Sequence, residues 1–258
     1  MFANRGFLKE GHRRIALRIL PRPARRWLRA LWRLQYHPLV SQTSFDRVRQ
    51  TTPISRDFGL DRGQPIDRYY IENFLAHQAE SIKGRVMEIA DNSYTRKYGA
   101  GRVTTSDVLD ISENNAQATV VADLTHAEHV PSNTFDCIIC TQTLQLIYDV
   151  RSAIRTLYRI LKPGGVLLVT VPGISHIGPD EDSEHWCWAF TTTSARQLFE
   201  ESFPAPNVEV EANGNVLAAI SFLHGLAVEE LRQEELDYRD PYYQVLITIR
   251  AVKPETTR

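Results

Sequence analysis

The chain has 258 residues, 43% of them hydrophobic and 24% charged, which suffices for one sizeable α/β domain with an appendage and excludes both two full-sized domains and wholesale disorder. No apolar stretch approaches the ~20 residues of a bilayer-spanning helix, and three cysteines are too few for a disulfide framework, which suits a reducing, cytoplasmic compartment. The formal net charge of -1 conceals an asymmetry: of the 30 Lys/Arg and 31 Asp/Glu, residues 1–36 hold ten and one, which leaves 20 against 30 in the body.

In residues 24–36, Trp27, Leu28, Leu31, Trp32 and Leu34 recur near helical spacing among arginines, which predicts a basic amphipathic helix. Such a helix could make peripheral contact with an anionic membrane or pack its apolar stripe on the body. Nucleic acid is not expected as a partner, because the basic run is short and the rest is acidic. A cleaved signal peptide does not fit charges that punctuate the whole segment. Pro38, Pro53, Gly59, Gly63 and Pro65 keep residues 37–66 irregular. The expected organisation is a basic helical extension and covering arm over 1–66, followed by one domain over 67–258.

That domain opens with a helix capped by Asp67 and carrying Tyr70, Ile71, Phe74, Leu75 and Ile82 at helical spacing. Strands are predicted over 85–91, 101–107, 118–123, 135–141 and 165–171, with a helix over 150–161 that stops at Lys162-Pro163-Gly164-Gly165. A helix over 191–203, a strand over 208–211, a largely helical 216–236 and a strand over 242–252 complete the chain. Apolar strands alternating with helices imply an α/β fold with a mostly parallel central sheet and helices on both faces. Cys137 and Cys140, three apart in a strand, point to opposite faces and read as core rather than as a metal or redox pair.

Ligands of such sheets bind outside the carboxyl ends of the strands. The first three predicted strands end in acids, Glu88 with Asp91, Asp107 and Asp123, whose carboxylates accept hydrogen bonds from hydroxyl, amino and ammonium groups. No G-x-G-x-x-G follows the first strand, which disfavours a nicotinamide-dependent oxidoreductase.

Val86-Met87-Glu88-Ile89-Ala90-Asp91, then Ala122-Asp123-Leu124 with Val130-Pro131-Ser132-Asn133-Thr134-Phe135-Asp136, then Leu161-Lys162-Pro163-Gly164-Gly165-Val166-Leu167-Leu168-Val169, resemble in order and spacing the motifs of class I, type 11-like S-adenosylmethionine methyltransferases. The resemblance covers about residues 67–203 and implies a Rossmann-like methyltransferase fold with S-adenosylmethionine as cofactor. It implies that Glu88, Ala90, Asp91 and Asn92 line the methionine end, with Tyr94 beside them and Arg96 on the carboxylate. Asp107 and Val108 would hold the ribose, Asp123 and Leu124 the adenine, and Thr141 and Gln142 would face the transfer site. Where the family usually has glycine this chain has Ala90 and Asn92, and Asn92 can still adopt the left-handed conformation that glycine tolerates. Pro53-Ile54-Ser55-Arg56-Asp57-Phe58-Gly59 and Pro65-Ile66-Asp67-Arg68-Tyr69-Tyr70-Ile71-Glu72 are similar to bacterial methyltransferases found with glycosyltransferases, which suggests a sugar or other small hydroxylated acceptor.

An acceptor pocket is expected from residues 172–190, where His185 is the first candidate for a general base and His176 the second. The expected reaction is O-methylation of a small-molecule or sugar hydroxyl. The competing expectation is a binding or scaffold protein that keeps the fold without turnover, which the altered glycine loop suggests.

Overall fold

The computed structural model describes residues 50–178 and 184–255, so the basic helix expected over 24–36 and residues 37–49 of the arm that follows it lie outside the described residues. The described residues build a seven-stranded sheet in the order β3-β2-β1-β4-β5-β7-β6, from β1 (Gly84–Ile89), β2 (Val103–Asp110), β3 (Val120–Val121), β4 (Phe135–Thr141), β5 (Leu161–Pro172), β6 (Val208–Asn213) and β7 (Leu246–Val252). β1 to β5 run parallel, and β7 pairs antiparallel with both β5 and β6. Around the sheet stand α1 (Ile66–His77), α2 (Ser93–Gly99), α3 (Val150–Ile160), α4 (Thr192–Glu200), α5 (Val216–Leu223) and α6 (Gln233–Asp237).

β4 shows why the sheet is central. Cys137, Ile138, Ile139 and Cys140 are all fully buried, because helices cover both faces and every side chain meets a core. Ile138 and Cys140 pack with Ile154 and Leu157 of α3 and Phe199 of α4, whereas Cys137 and Ile139 pack with Ile71 and Leu75 of α1 and Phe222 of α5. The two thiols thus lie on opposite faces of the sheet. Burial pushes both up, Cys140 to about 12.

Several boundaries differ from the sequence reading, each for a local reason. α1 begins at Ile66 behind Pro65, so Asp67 stands in the first turn rather than at the cap, and the helix gives way to a 3-10 turn over Ala79–Ser81. β2 continues past Asp107 to Asp110, because Val108 and Leu109 still pair with Glu88 and Ile89 of β1. β3 shrinks to two residues. The 216–236 segment breaks at Gly225, whose φ of +71° and whose approach to the Ser55 carbonyl leave no room for a Cβ. After it come a 3-10 turn over Val228–Glu230 and then α6.

The described part of the arm packs against that break. The Ile54 and Ser55 N–H groups donate to the His224 carbonyl at 2.9 and 3.0 Å, and the Arg62 guanidinium is buried against the Glu230 carboxylate with Nε donating at 2.8 Å. This anchoring brings Phe58 and Leu60 over the carboxyl end of the sheet.

Candidate functional site

At the carboxyl end of β1 the backbone must leave the sheet and enter α2 within four residues. The turn is made at Ala90, whose φ is +69° and whose N–H donates to the Leu109 carbonyl of β2 at 2.9 Å. Asn92, which is able to adopt that conformation, instead has φ -123° and stands at the helix N-cap with no side-chain capping bond. Glu88 does the capping from the strand below. It accepts from the Tyr94 and Thr95 N–H groups at 3.1 and 2.7 Å and from the Thr95 hydroxyl at 2.7 Å. Burial raises the Glu88 carboxyl above the usual range, with those three donors opposing the rise. Glu88 therefore orients α2, and through it the Ala90–Tyr94 loop.

The register of β2 decides which aspartate reaches the ligand end. Asp107 is level with Met87, inside the sheet, where it accepts from the Arg85 Nε at 2.7 Å and the Thr119 hydroxyl at 2.9 Å. Asp110 lies three residues further along, roughly 10 Å at strand rise and on the opposite face. There its carboxylate accepts from the Ser112 N–H at 2.8 Å and the Asn115 Nδ2 at 2.6 Å. Asn115 also donates to the Ala90 carbonyl at 2.6 Å, which ties the tips of β1 and β2 together. After β3, Asp123 accepts from the Thr125 N–H and hydroxyl, both at 2.8 Å, and the backbone donor is the larger cause of its lowered carboxyl value.

These tips enclose a cavity of about 740 Å3. Of the residues expected around a cofactor, it is lined by Glu88, Ala90, Asp91, Tyr94, Asp123, Leu124, Thr141 and Gln142, and His185 also lies on its wall. Five expected residues are elsewhere. Asp107 and Val108 are buried within β2, Asn92 turns its amide to the Ser106 hydroxyl at 3.2 Å, and Arg96 is exposed on the outer side of α2. His176 stacks on Phe58 with ring centroids 4.1 Å apart.

Asp110, Ile111 and Arg68 are on the wall and were not among the expected residues. Asp110 carried a signal in the sequence, since the apolar pair Val108-Leu109 continues the strand beyond Asp107 and an acid follows it. Arg68 carried none, because it reaches the cavity from α1, where its guanidinium donates to the Tyr94 hydroxyl at 2.8 Å.

The donor set suits S-adenosylmethionine. Asp110 and Asp123 offer acceptors at the tips of neighbouring strands for ribose hydroxyls and an adenine amino group, Arg68 offers a partner for a carboxylate, and Leu124, Ile111 and Leu146 supply apolar walls. The volume falls within the ~300–1,000 Å3 range of small-molecule sites.

Residues 83–169 match the family model described as a methyltransferase domain. Among curated relatives, the ubiquinone/menaquinone biosynthesis C-methyltransferase UbiE of Klebsiella pneumoniae is 36% identical over 89 residues, 33% of this chain and 32% of that protein. The UbiE of Haemophilus ducreyi is 48% identical over 46 residues, 17% of this chain and 18% of its own length. The matched stretch thus spans a third or less of either relative. Among solved structures, an S-adenosylmethionine-dependent methyltransferase from Archaeoglobus fulgidus superposes with a TM-score of 0.50 at 13% identity, covering 72% of this chain and 94% of that one, a likeness of fold. Residues 83–169 thus carry a methyltransferase domain, set in a Rossmann-like, mostly parallel α/β sheet.

Proposed function

We propose that this protein methylates a hydroxyl group on a small molecule or sugar, with S-adenosylmethionine held along the tips of β1 to β4. The observation that carries the reading is the 740 Å3 cavity itself, in which Asp110, Asp123 and the Glu88-braced loop converge from three separate strands. Asp110 takes the ribose hydroxyls, Asp123 and Leu124 flank the adenine, Arg68 pairs with the methionine carboxylate, and Thr141 and Gln142 border the reacting end. Bound there, the cofactor supplies a sulfonium-activated methyl group. What the chain must add is alignment of the acceptor and a place for its proton. His185 is assigned the proton, as the histidine of the expected pair that lines the cavity.

C-methylation, the activity named for the UbiE relatives, is a second reading supported by sequence similarity alone. The similarity spans at most 89 of this chain's residues in those relatives, whereas the walls beside the transfer site come from residues as far apart as Phe58 and Leu246. The relatives' acceptor therefore does not carry over.

The test is incubation of the full chain with methyl-13C S-adenosylmethionine and candidate hydroxylated acceptors, followed by NMR assignment of the transferred methyl group. An alkali-stable methyl ether supports O-methylation, and a product methylated on carbon overturns it. Calorimetric cofactor binding with no transfer to any acceptor would instead favour a binding or scaffold role. Among the described residues no helix is long and apolar enough to cross a membrane. We assign residues 1–36 to peripheral contact with an anionic membrane surface, a reading supported by their ten basic residues and tryptophans. Loss of anionic-vesicle binding on deleting them would support it, and unchanged binding would refute it.

A further inference from the structure

Beside the cofactor cavity lies a second chamber of about 220 Å3, and Arg68, Gln142 and Leu146 line both. Its position beyond Gln142 places it past the reacting end of the proposed cofactor site. Its walls are mainly apolar, with the aromatic rings of Phe58, Trp186 and Phe222 supplied by the arm, the segment after β5 and α5 respectively. A cavity of about 150 Å3 is enough for benzene, so this one has room for a single substituted ring.

Two features of its polar wall call for a ligand. Gln145 is only 2% exposed, its Nε2 donates to the Gln142 Oε1 at 3.2 Å, and its own Oε1 is buried without a hydrogen-bond partner. A buried acceptor left in that state costs about 1–3 kcal/mol, and native proteins seldom leave one unless something else supplies the donor. Gln142 holds a left-handed φ of +48° while its N–H donates to the Thr170 carbonyl at 2.9 Å, and backbone strain in a non-glycine residue gathers at binding sites. On the facing side Asp67 presents a second acceptor from the first turn of α1. One of its oxygens accepts from the Arg68 N–H at 2.8 Å, and burial raises its carboxyl above the usual range.

We propose that this chamber binds the methyl acceptor as a flat, mainly apolar ring bearing hydroxyl donors, of the phenol or catechol type, with Gln145 Oε1 and the Asp67 carboxylate accepting from its hydroxyls. The inference rests on the methyl-transfer reading and narrows it from any hydroxylated small molecule to an aromatic one. A sugar ring offers hydroxyls around its whole perimeter and would bury several of them against phenyl and indole faces. Asp67 and Gln145 are here positioning residues for the acceptor.

The test uses the full chain and two probes, catechol and methyl α-glucoside, each titrated with and without saturating S-adenosylhomocysteine, with binding followed by saturation-transfer NMR and calorimetry. Catechol should bind. Asp67→Asn and Gln145→Leu should each weaken it at least tenfold while the affinity for S-adenosylhomocysteine stays within twofold of the parent. Absence of catechol binding in a protein that binds S-adenosylhomocysteine would overturn the inference, as would preferential binding of the glucoside or unchanged catechol affinity in Asp67→Asn. Asp67→Asn keeps an acceptor for the Arg68 N–H, so it decides the matter even where Gln145→Leu fails to fold. Failure of the parent to bind S-adenosylhomocysteine strikes the methyl-transfer reading instead, and the titration without it still reports on the chamber.

Discussion

Replacing Asp110 and Asp107 in separate variants separates the ligand end of β2 from its interior. Each Asp110 oxygen already accepts one bond, from the Ser112 N–H and from Asn115 Nδ2, and a carboxylate oxygen has two lone pairs, so one acceptor site per oxygen remains for a ribose hydroxyl. A hydrogen bond to a charged group contributes about 1.5–3 kcal/mol. Loss of one such bond in Asp110→Ala should therefore weaken S-adenosylhomocysteine binding by about 10- to 150-fold, and Asp110→Asn, which keeps one acceptor, by less. Asp107→Asn gives up charge on bonds to Arg85 and Thr119 inside the sheet. It should lower stability by about 1 kcal/mol and leave cofactor affinity within twofold. Isothermal titration calorimetry reads the first quantity and urea unfolding the second. Should Asp107→Asn lose the cofactor while Asp110→Ala keeps it, the register argument for the ribose site would be refuted.

Ala90→Gly should stabilise the protein, since a left-handed alanine costs roughly 1–2 kcal/mol and the added chain freedom of glycine offsets about 0.5–1 of it; a Tm higher by about 1–4 °C is expected, and a lower Tm would show that the Ala90 methyl group packs usefully. Asp149 caps α3 by accepting from the Ser152 N–H at 3.1 Å, so Asp149→Ala should lower the urea midpoint, and no change would mean the cap is redundant. Asp136 sits at the far end of the sheet; burial pushes its carboxyl up, but Lys162 Nζ and the Arg85 N–H, each at 2.8 Å, outweigh burial and hold it below the usual range. With a folded value below the unfolded one of about 3.9, its contribution is present above pH ~4 and disappears as pH falls through the folded value. Stability of Asp136→Asn should accordingly fall less than that of the parent between pH 5 and pH 3, and a steeper fall in the variant would contradict this assignment.

The elements that the sequence made legible are those specified within a few residues. β4 occupies 135–141 as read, because an unbroken apolar run bounded by Asn133-Thr134 and Gln142-Thr143 has one reading, and α3 ends within a residue of expectation because its apolar stripe runs out before Pro163. Asp123 reaches the cavity wall because it stands where the apolar run Val120-Val121-Ala122 ends, and Glu88 reaches it from the penultimate position of β1. The end of β2 was misjudged because an acid inside a strand and an acid at its tip look alike in one dimension. Only pairing shows that Val108 and Leu109 remain in the sheet beside β1 and that Asp110, level with Val121 of β3, is the last residue of β2.

Composition, periodicity and turn residues, which are local, thus determined the α/β class, the parallel core and the end of the sheet at which chemistry belongs. The tertiary structure alone decided which aspartate and which arginine line that end and which residue of the β1 loop makes its turn. It also decided that the arm, α1, the turn after β4 and α5 meet in one chamber beyond Gln142. Interstrand register and helix docking depend on partners tens to hundreds of residues away, and no window along the chain contains them.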